Sequence, residues 1–299
     1  MYDTHSKGIS YTAGFFMLIA FAIGGIIIAG LISIQLWTAM TGRTYEQFAS
    51  GMTDPAFSNV YKIIQVINML GFLVPALIVA HMVHRKPLAL LGFSPRITGK
   101  QIALACMIMV SAMFIAAAFS HISHLLPIPA DWKARFDKLE SSYSQQAQAI
   151  LGLKNFGDYV LALIVMGFLP AICEETLFRG GLQNFLTRSI NKPWIAIVVV
   201  SLIFSLAHMS FYGFLSRFFL GVVLGIIYHY SGKLWLCIIG HFLNNAMAIT
   251  LFYYAIQKGK AVDVQQETGA SLWSLTLLPV LVMLFLFFKR ESKPAKLEY

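Results

Sequence analysis

The chain has 299 residues, 58% of them hydrophobic and only 12% charged, with a mean hydropathy of +0.72. No water-soluble globular domain carries such a composition without exposing large apolar patches, so lipid is the solvent for most of this chain. The net charge of +9 needs no nucleic acid to explain it: basic residues of membrane proteins gather in cytoplasmic loops, and nucleic-acid binding is set aside.

A helix crossing the hydrocarbon needs about 20 mostly apolar residues. Such runs recur at 12–37, 60–83, 101–120, 157–190 in part, 193–210, 213–230, 233–256 and 271–288. They predict an all-α polytopic bundle of about eight transmembrane helices, and with no polar linker between them 1–299 reads as one membrane domain. The first run, Phe15 to Trp37, is longer than a signal-peptide core and lacks a small-residue cleavage site, so it is expected to be retained. The three helices within 1–120 are accessory spans rich in Leu, Ile, Ala and Phe, and suggest no chemistry. Between the third and fourth spans Trp132, Phe136, Leu139, Tyr143 and Ile150 recur at steps of three, four or seven. That pattern predicts an amphipathic helix, lying on the outer interface or packed on the membrane domain. Cys106, Cys173 and Cys237 are scattered through apolar runs and form neither a disulfide framework nor a metal knuckle.

With an even number of spans the two termini share one side, and alternate loops should be basic. The segment after the second span carries Arg85, Lys86, Arg96 and Lys100, the one after the fourth Arg188 and Lys192, and the tail Lys289, Arg290, Lys293 and Lys296. The other loops mix signs, as in Arg43, Glu46 and Asp54, or Asp131, Lys133, Arg135, Asp137, Lys138 and Glu140. Both termini are therefore expected on the cytoplasmic side.

Of 13 acidic residues, all but Glu174 and Glu175 sit in loops or tails; these two follow directly on the apolar run Leu161 to Cys173. An ionisable group at membrane depth costs about 3 kcal/mol on insertion scales, so adjacent carboxylates there point to function. On a helix Glu175 and Arg179 are four apart and face each other, while Glu174 is turned away by about 100°. Arg179 can then neutralise Glu175 more easily than Glu174, which leaves Glu174 suited to general-base work. In the fifth span Phe204-Ser205-Leu206-Ala207-His208 ends a long Ile/Val/Leu run on an imidazole, and in the seventh His241 and Asn245 share one helix face. A single intramembrane His or Asn is most simply a helix-packing hydrogen bonder. Three helices that each offer such groups are harder to explain by packing.

In that order, on successive apolar segments, Glu-Glu-x-x-x-Arg (174–179), Phe-x-x-x-His (204–208) and His-x-x-x-Asn (241–245) resemble the three signature motifs of the CAAX prenyl protease and bacteriocin-processing (CPBP, or Abi) family of intramembrane endopeptidases. The likeness spans 157–250 and includes Leu234-Trp235-Leu236-Cys237-Ile238 leading to His241. It implies hydrolysis of a peptide bond in a membrane-associated or lipidated, CAAX-like peptide, within a cavity between helices. Residue by residue, it makes Glu174 the base that activates water, with His208 sharing that task. Glu175 and Arg179 become the supporting pair, and His241 and Asn245 the holders of the oxyanion. Phe204, one turn from His208, reads as a packing partner.

Glu174, His208 and His241 could also ligate zinc with a fourth position open. The helical zinc motif of two histidines four apart with a glutamate between them is absent, and the expectation leans towards a metal-free site without a cofactor. His81 and His84, and His121 and His124, sit at span ends where amphipathic rings settle at the interface, as does His229 between Tyr228 and Tyr230. Arg217, near the start of the sixth span, is either a substrate-carboxylate contact or a side chain snorkelling to the headgroups. One tension stands: at 1.5 Å per residue His208 and His241 would differ in depth by about 10 Å. The expected partners are a peptide or protein substrate and the bilayer. Two other classes stay open, a non-catalytic scaffold or bacteriocin-immunity-type peptide-binding protein, and a transporter relaying protons through Glu174, Glu175, His208 and His241. Two buried carboxylates speak against the first, and the lack of an internal repeat against the second.

Overall fold

A computed structural model describes residues 5–259 and 272–292; Lys293 and Lys296 of the basic tail, and the first residue of the last apolar run, lie outside them. The described residues form helices and turns, with a lone bridge between Ser6 and His84. In chain order the principal helices are α1 (Tyr11–Thr41), α2 (Ser58–Val83), α3 (Gly99–Leu125) and α4 (Ala130–Leu151). They continue as α5 (Phe156–Ile190), α6 (Pro193–Ala207), α7 (Phe214–Ser231), α8 (Leu234–Gln257) and α9 (Leu272–Glu291). Seven of these are long and apolar enough to cross a membrane, and α6 is a shorter apolar helix. The chain is an all-α, multi-pass integral membrane protein.

Its outer surface is apolar where a soluble protein's would be wet. Ile23, Ile27 and Leu31, four apart on one face of α1, are 56%, 58% and 61% exposed. Val282 and Leu286 make a similar stripe on α9. Such faces are stable only against lipid tails.

Two cores fill the interior. Leu18, Val79, Phe178 and Phe185 belong to one, built by α1, α2 and the middle of α5. Ile108, Leu224, Leu236 and Phe288 belong to the other, built by α3, α7, α8 and α9. Helix α5 runs between them, giving Ala171 to the second and Leu177 to the first. Helix association in lipid relies on close van der Waals approach, which small residues permit. Thus α1 and α2 meet at Gly25 and Gly71, where a β-carbon on Gly25 would lie 2.6 Å from the Gly71 carbonyl oxygen and 2.8 Å from the Pro75 ring.

One end of the bundle gathers the basic segments. The Leu90 and Leu91 carbonyls accept from Asn184 and Tyr228, and the Gly92 carbonyl accepts from the Leu234 N–H at 2.8 Å. Gln101 donates to the Glu291 carbonyl, and the Arg188 guanidinium lies over Tyr11. The start of α1, the segment 85–100, the turn 188–192 and the end of α9 therefore lie together. At the opposite end, α4 takes up both readings of its amphipathic pattern: Phe136 packs inward on Phe211 and Ile150 on the Trp37 cluster, while Trp132 and Leu139 stay exposed.

The α1–α2 crossing gives a direct test. Gly25→Leu forces the two backbones apart and is expected to lower stability by about 1–3 kcal/mol, read as the thermal midpoint of the detergent-purified protein. Gly24→Leu is the control, since nothing lies within 4 Å of a β-carbon there, and should leave the midpoint in place.

Candidate active site

Helix α5 is not wound evenly. Pro170 has no N–H to give the Met166 carbonyl, and the stretch Leu163–Phe168 just before it is a wider π-helix. A second wide stretch, Thr176–Gln183, follows directly on Glu175. Such bulges re-aim the side chains around them and concentrate at functional sites.

The winding places Glu175 and Arg179 against each other, with Arg179 Nη1 donating to Glu175 Oε1 at 2.8 Å and both side chains almost wholly buried. Arg179 Nη2 donates to the Gly221 carbonyl at 3.2 Å, and Gln183, one turn on, donates to the Gly225 carbonyl at 2.9 Å. Two polar side chains four apart on α5 thus read two carbonyls four apart on α7. They reach the backbone because Gly221 and Gly225 have no side chain in the way; a β-carbon on Gly225 would lie 2.9 Å from Gln183 Oε1. The sequence carried that signal as Gly-x-x-x-Gly at 221–225, a helix-approach pattern, whereas Gln183 was not anticipated.

Glu175 Oε1 also accepts from His241 Nδ1 at 2.8 Å. With Nδ1 donating, His241 presents Nε2, which lies 3.9 Å from Glu174 Oε2. That gap is too long for a direct hydrogen bond, and a water or substrate oxygen beside both atoms could bond to each. Among the described residues Glu174 Oε2 is buried and has no hydrogen-bond partner, and the same holds for Glu175 Oε2. A carboxylate oxygen in that state needs an occupant.

Helix α6 ends at Ala207, about 22 Å from its start and short of the roughly 30 Å of hydrocarbon. Met209, in the left-handed region at φ 51°, turns the chain back, and Ser205 Oγ closes the turn by donating to the Phe214 carbonyl at 2.6 Å. His208 therefore stands at the end of a helix that stops within the membrane. Its Nδ1 lies 2.8 Å from the Phe204 carbonyl oxygen; a carbonyl only accepts, so Nδ1 carries the proton and Nε2 is the open nitrogen. Glu174, Arg217 and His241 are the ionisable side chains near enough to act on His208.

The depth conflict between the two histidines disappears in three dimensions. The Phe204 ring packs edge-on against both imidazoles, 4.8 Å from His208 and 6.0 Å from His241, and lies under the Arg179 guanidinium at 4.7 Å. Counting residues assumed straight parallel helices that start at one level, and the shared Phe204 ring shows that His208 and His241 do not keep that separation. Asn245 is held on α8 by donating to the Gly167 carbonyl, in the first wide stretch of α5, at 3.3 Å, and its own oxygen accepts from Asn244. The structure thus gathers Glu174, Glu175, Arg179, His208 and His241 around Phe204, with Asn245 one turn along.

The loop 208–213 is clamped from outside by α4. Ser210 Oγ bonds to the Glu140 carboxylate at 2.8 Å, Tyr212 donates to Asp137 at 2.6 Å, and Phe136 stacks on Phe211 at 4.2 Å. Lys133 and Tyr212, both donating to Asp137, hold its carboxyl below the usual carboxylate range. His124 of α3 stacks on the other partner of that bond, Tyr212, at 4.1 Å. These contacts join residues about 70 apart, and the mixed-sign charges of the 131–140 segment gave no hint of them.

As regards metal ions, no group of three His, Cys, Asp or Glu side chains among the described residues is placed to hold one. His208 and His241 each bond a protein oxygen through Nδ1, the arrangement that leaves Nε2 open. Zinc ligation by Glu174, His208 and His241 rests on residue types and not on a formed cluster among the described residues, and no step is routed through a metal. His84 bonds instead to the Lys86 backbone, and His229 packs against Trp194.

The buried pair sets a stability test. Arg179→Met leaves the Glu175 carboxylate with its charge unmatched and should cost about 3–5 kcal/mol, seen as a lowered thermal midpoint. Adding Glu175→Gln to that variant should recover part of the loss, because the stranded charge is then gone.

Comparison with known proteins singles out one part of the chain. Residues 156–247 match the family model of Rce1-like type II CAAX prenyl endopeptidases. A curated relative, an uncharacterised 24.3 kDa protein of Escherichia coli, is 32% identical over 92 residues, which is 29% of this chain and 42% of the relative's length. No solved structure matches. The helices that carry Glu174, Glu175, Arg179, His208, His241 and Asn245 are therefore the Rce1-like part of this chain, of the kind found in a membrane protease family.

Proposed function

We propose that the protein is an intramembrane endopeptidase that hydrolyses a peptide bond of a membrane-associated or lipidated, CAAX-like peptide. The observation that carries this reading is the buried, unpartnered Glu174 Oε2 beside His241 Nε2 at 3.9 Å, in an Rce1-like segment. A peptide carbonyl and a water entering there meet a base on one side and an imidazole on the other.

In this reading Glu174 takes a proton from water as the oxygen attacks the scissile carbonyl, and His208 Nε2 shares the proton. Glu175, paired with Arg179, accepts from Nδ1 of His241 and fixes the ring. With a proton also on Nε2, His241 donates to the oxyanion, with the second N–H of Asn245 as a further donor. The proton held by Glu174 passes to the leaving amine. Glu175 and Arg179 position and do not themselves react. The site is taken to work without metal, and the basic end of the bundle is assigned to the cytoplasm, with both termini, by the positive-inside rule.

A peptide bearing S-farnesyl cysteine followed by three residues, incubated with the purified protein in nanodiscs, should be cut in the wild type. In Glu174→Gln the rate should fall by at least about a hundredfold with the thermal midpoint unchanged, as followed by mass spectrometry of the products. Undiminished cleavage by Glu174→Gln would refute the assignment, binding without any shortening of the peptide would favour a scaffold, and proton-coupled flux in liposomes would favour a transporter.

A further inference from the structure

Arg217 sits in the first turn of α7, four residues past the end of the loop that begins at His208. Its Nη1 is buried and has no hydrogen-bond partner among the described residues. The guanidinium lies over the Tyr143 ring of α4 at 5.8 Å, and it rests so close to Gly213 that a β-carbon there would collide with Nη1. Ser210 Oγ, which would lie 2.8 Å from that same β-carbon, is already committed to Glu140. No carboxylate of the described residues pairs with Arg217, although its charge reaches His208.

This is an unusual state for a guanidinium. Snorkelling would carry the head out to headgroups or water, yet this half-buried side chain keeps one donor nitrogen, Nη1, sealed from solvent beside α4. Arg179, by contrast, spends its donors on Glu175 and Gly221. A buried donor on a charged group is costly unless something accepts from it, and a fork of N–H groups fits a carboxylate best.

Resting on the endopeptidase reading, we infer that Arg217 is the subsite for an anionic end of the substrate: it binds the free C-terminal carboxylate of the peptide whose bond is cut beside His208. Gly213 and the clamped 208–213 loop lie on one side of the guanidinium and the half-exposed Tyr143 ring on the other. Packing on two sides suits a chain end better than an acidic side chain on a strand that runs through. A carboxylate there pairs with Nη1 and fixes how far the peptide can slide, which sets the bond presented to Glu174.

The test uses the full-length protein in nanodiscs and the farnesylated peptide in three forms: a C-terminal acid, a C-terminal amide, and an amide with glutamate as its last residue. Binding is read by fluorescence anisotropy on the Glu174→Gln background, independently of turnover, and kcat and KM on the active protein. The acid should bind at least about tenfold more tightly than either amide, with the difference lying in KM. Arg217→Gln should bring that ratio close to one, and Gly213→Ala, which displaces the guanidinium without removing its charge, should reduce it. Tight binding of the glutamate-ended amide would overturn the terminal-carboxylate assignment. So would an acid preference that survives Arg217→Gln, or an Arg217→Gln effect confined to stability in anionic lipid. If Glu174→Gln still cleaves while the acid preference depends on Arg217, the endopeptidase mechanism fails and this subsite stands.

Discussion

A carboxylate removed from water must be met by the protein, and Glu175 is met twice on the same oxygen, by Arg179 and by His241 at 2.8 Å each. The bridge ties α5 to α8, and the second nitrogen of Arg179 extends it to α7 through the Gly221 carbonyl. Three helices that in lipid have little hydrophobic reason to choose one register are thus set in one. The cost of leaving any member unpaired at that depth makes the arrangement close to all-or-none. The consequence for chemistry lies next door: Glu174 and Glu175 each keep a buried Oε2 without a partner among the described residues, and that of Glu174 faces Nε2 of His241.

Phe204 brings the fourth helix to the same point. Its ring is shared by Arg179, His208 and His241, so an apolar side chain sets the distance between groups that could not be spaced by attraction alone. The helix that carries it is too short to cross the hydrocarbon, and this places His208 at an interior helix end where its Nε2 is uncommitted. A long fifth span would have carried the imidazole out to the interface.

Helix α4 adds a constraint from outside the bundle. By holding Ser210, Phe211 and Tyr212 through Glu140, Phe136 and Asp137, it fixes the loop that connects His208 to Arg217. Its outward Trp132 and Leu139 suit a helix whose other face meets lipid. The candidate site groups thus rest on helices that include the two wide stretches of α5 and on the end of α6, while polar contacts from α4 cover the 208–213 loop, as irregular backbone at membrane depth requires.

Sequence alone determined the solvent, the helical class and the spans, because 20-residue apolar runs and basic loops are local signals that lipid enforces. It also picked out Glu174, Glu175, Arg179, His208, His241 and Asn245, since polar groups are conspicuous in an apolar background. Tertiary structure alone decided which of these touch. Linear depth counting separated His208 from His241, whereas the wide turns of α5 and the early end of α6 brought both onto Phe204. The Gln183–Gly225 contact, the α4 clamp and the packing of Arg217 on Tyr143 join residues far apart in the chain, and no periodicity within one helix encodes the face of another. Local composition sets what each segment must bury; only the packed bundle decides against what.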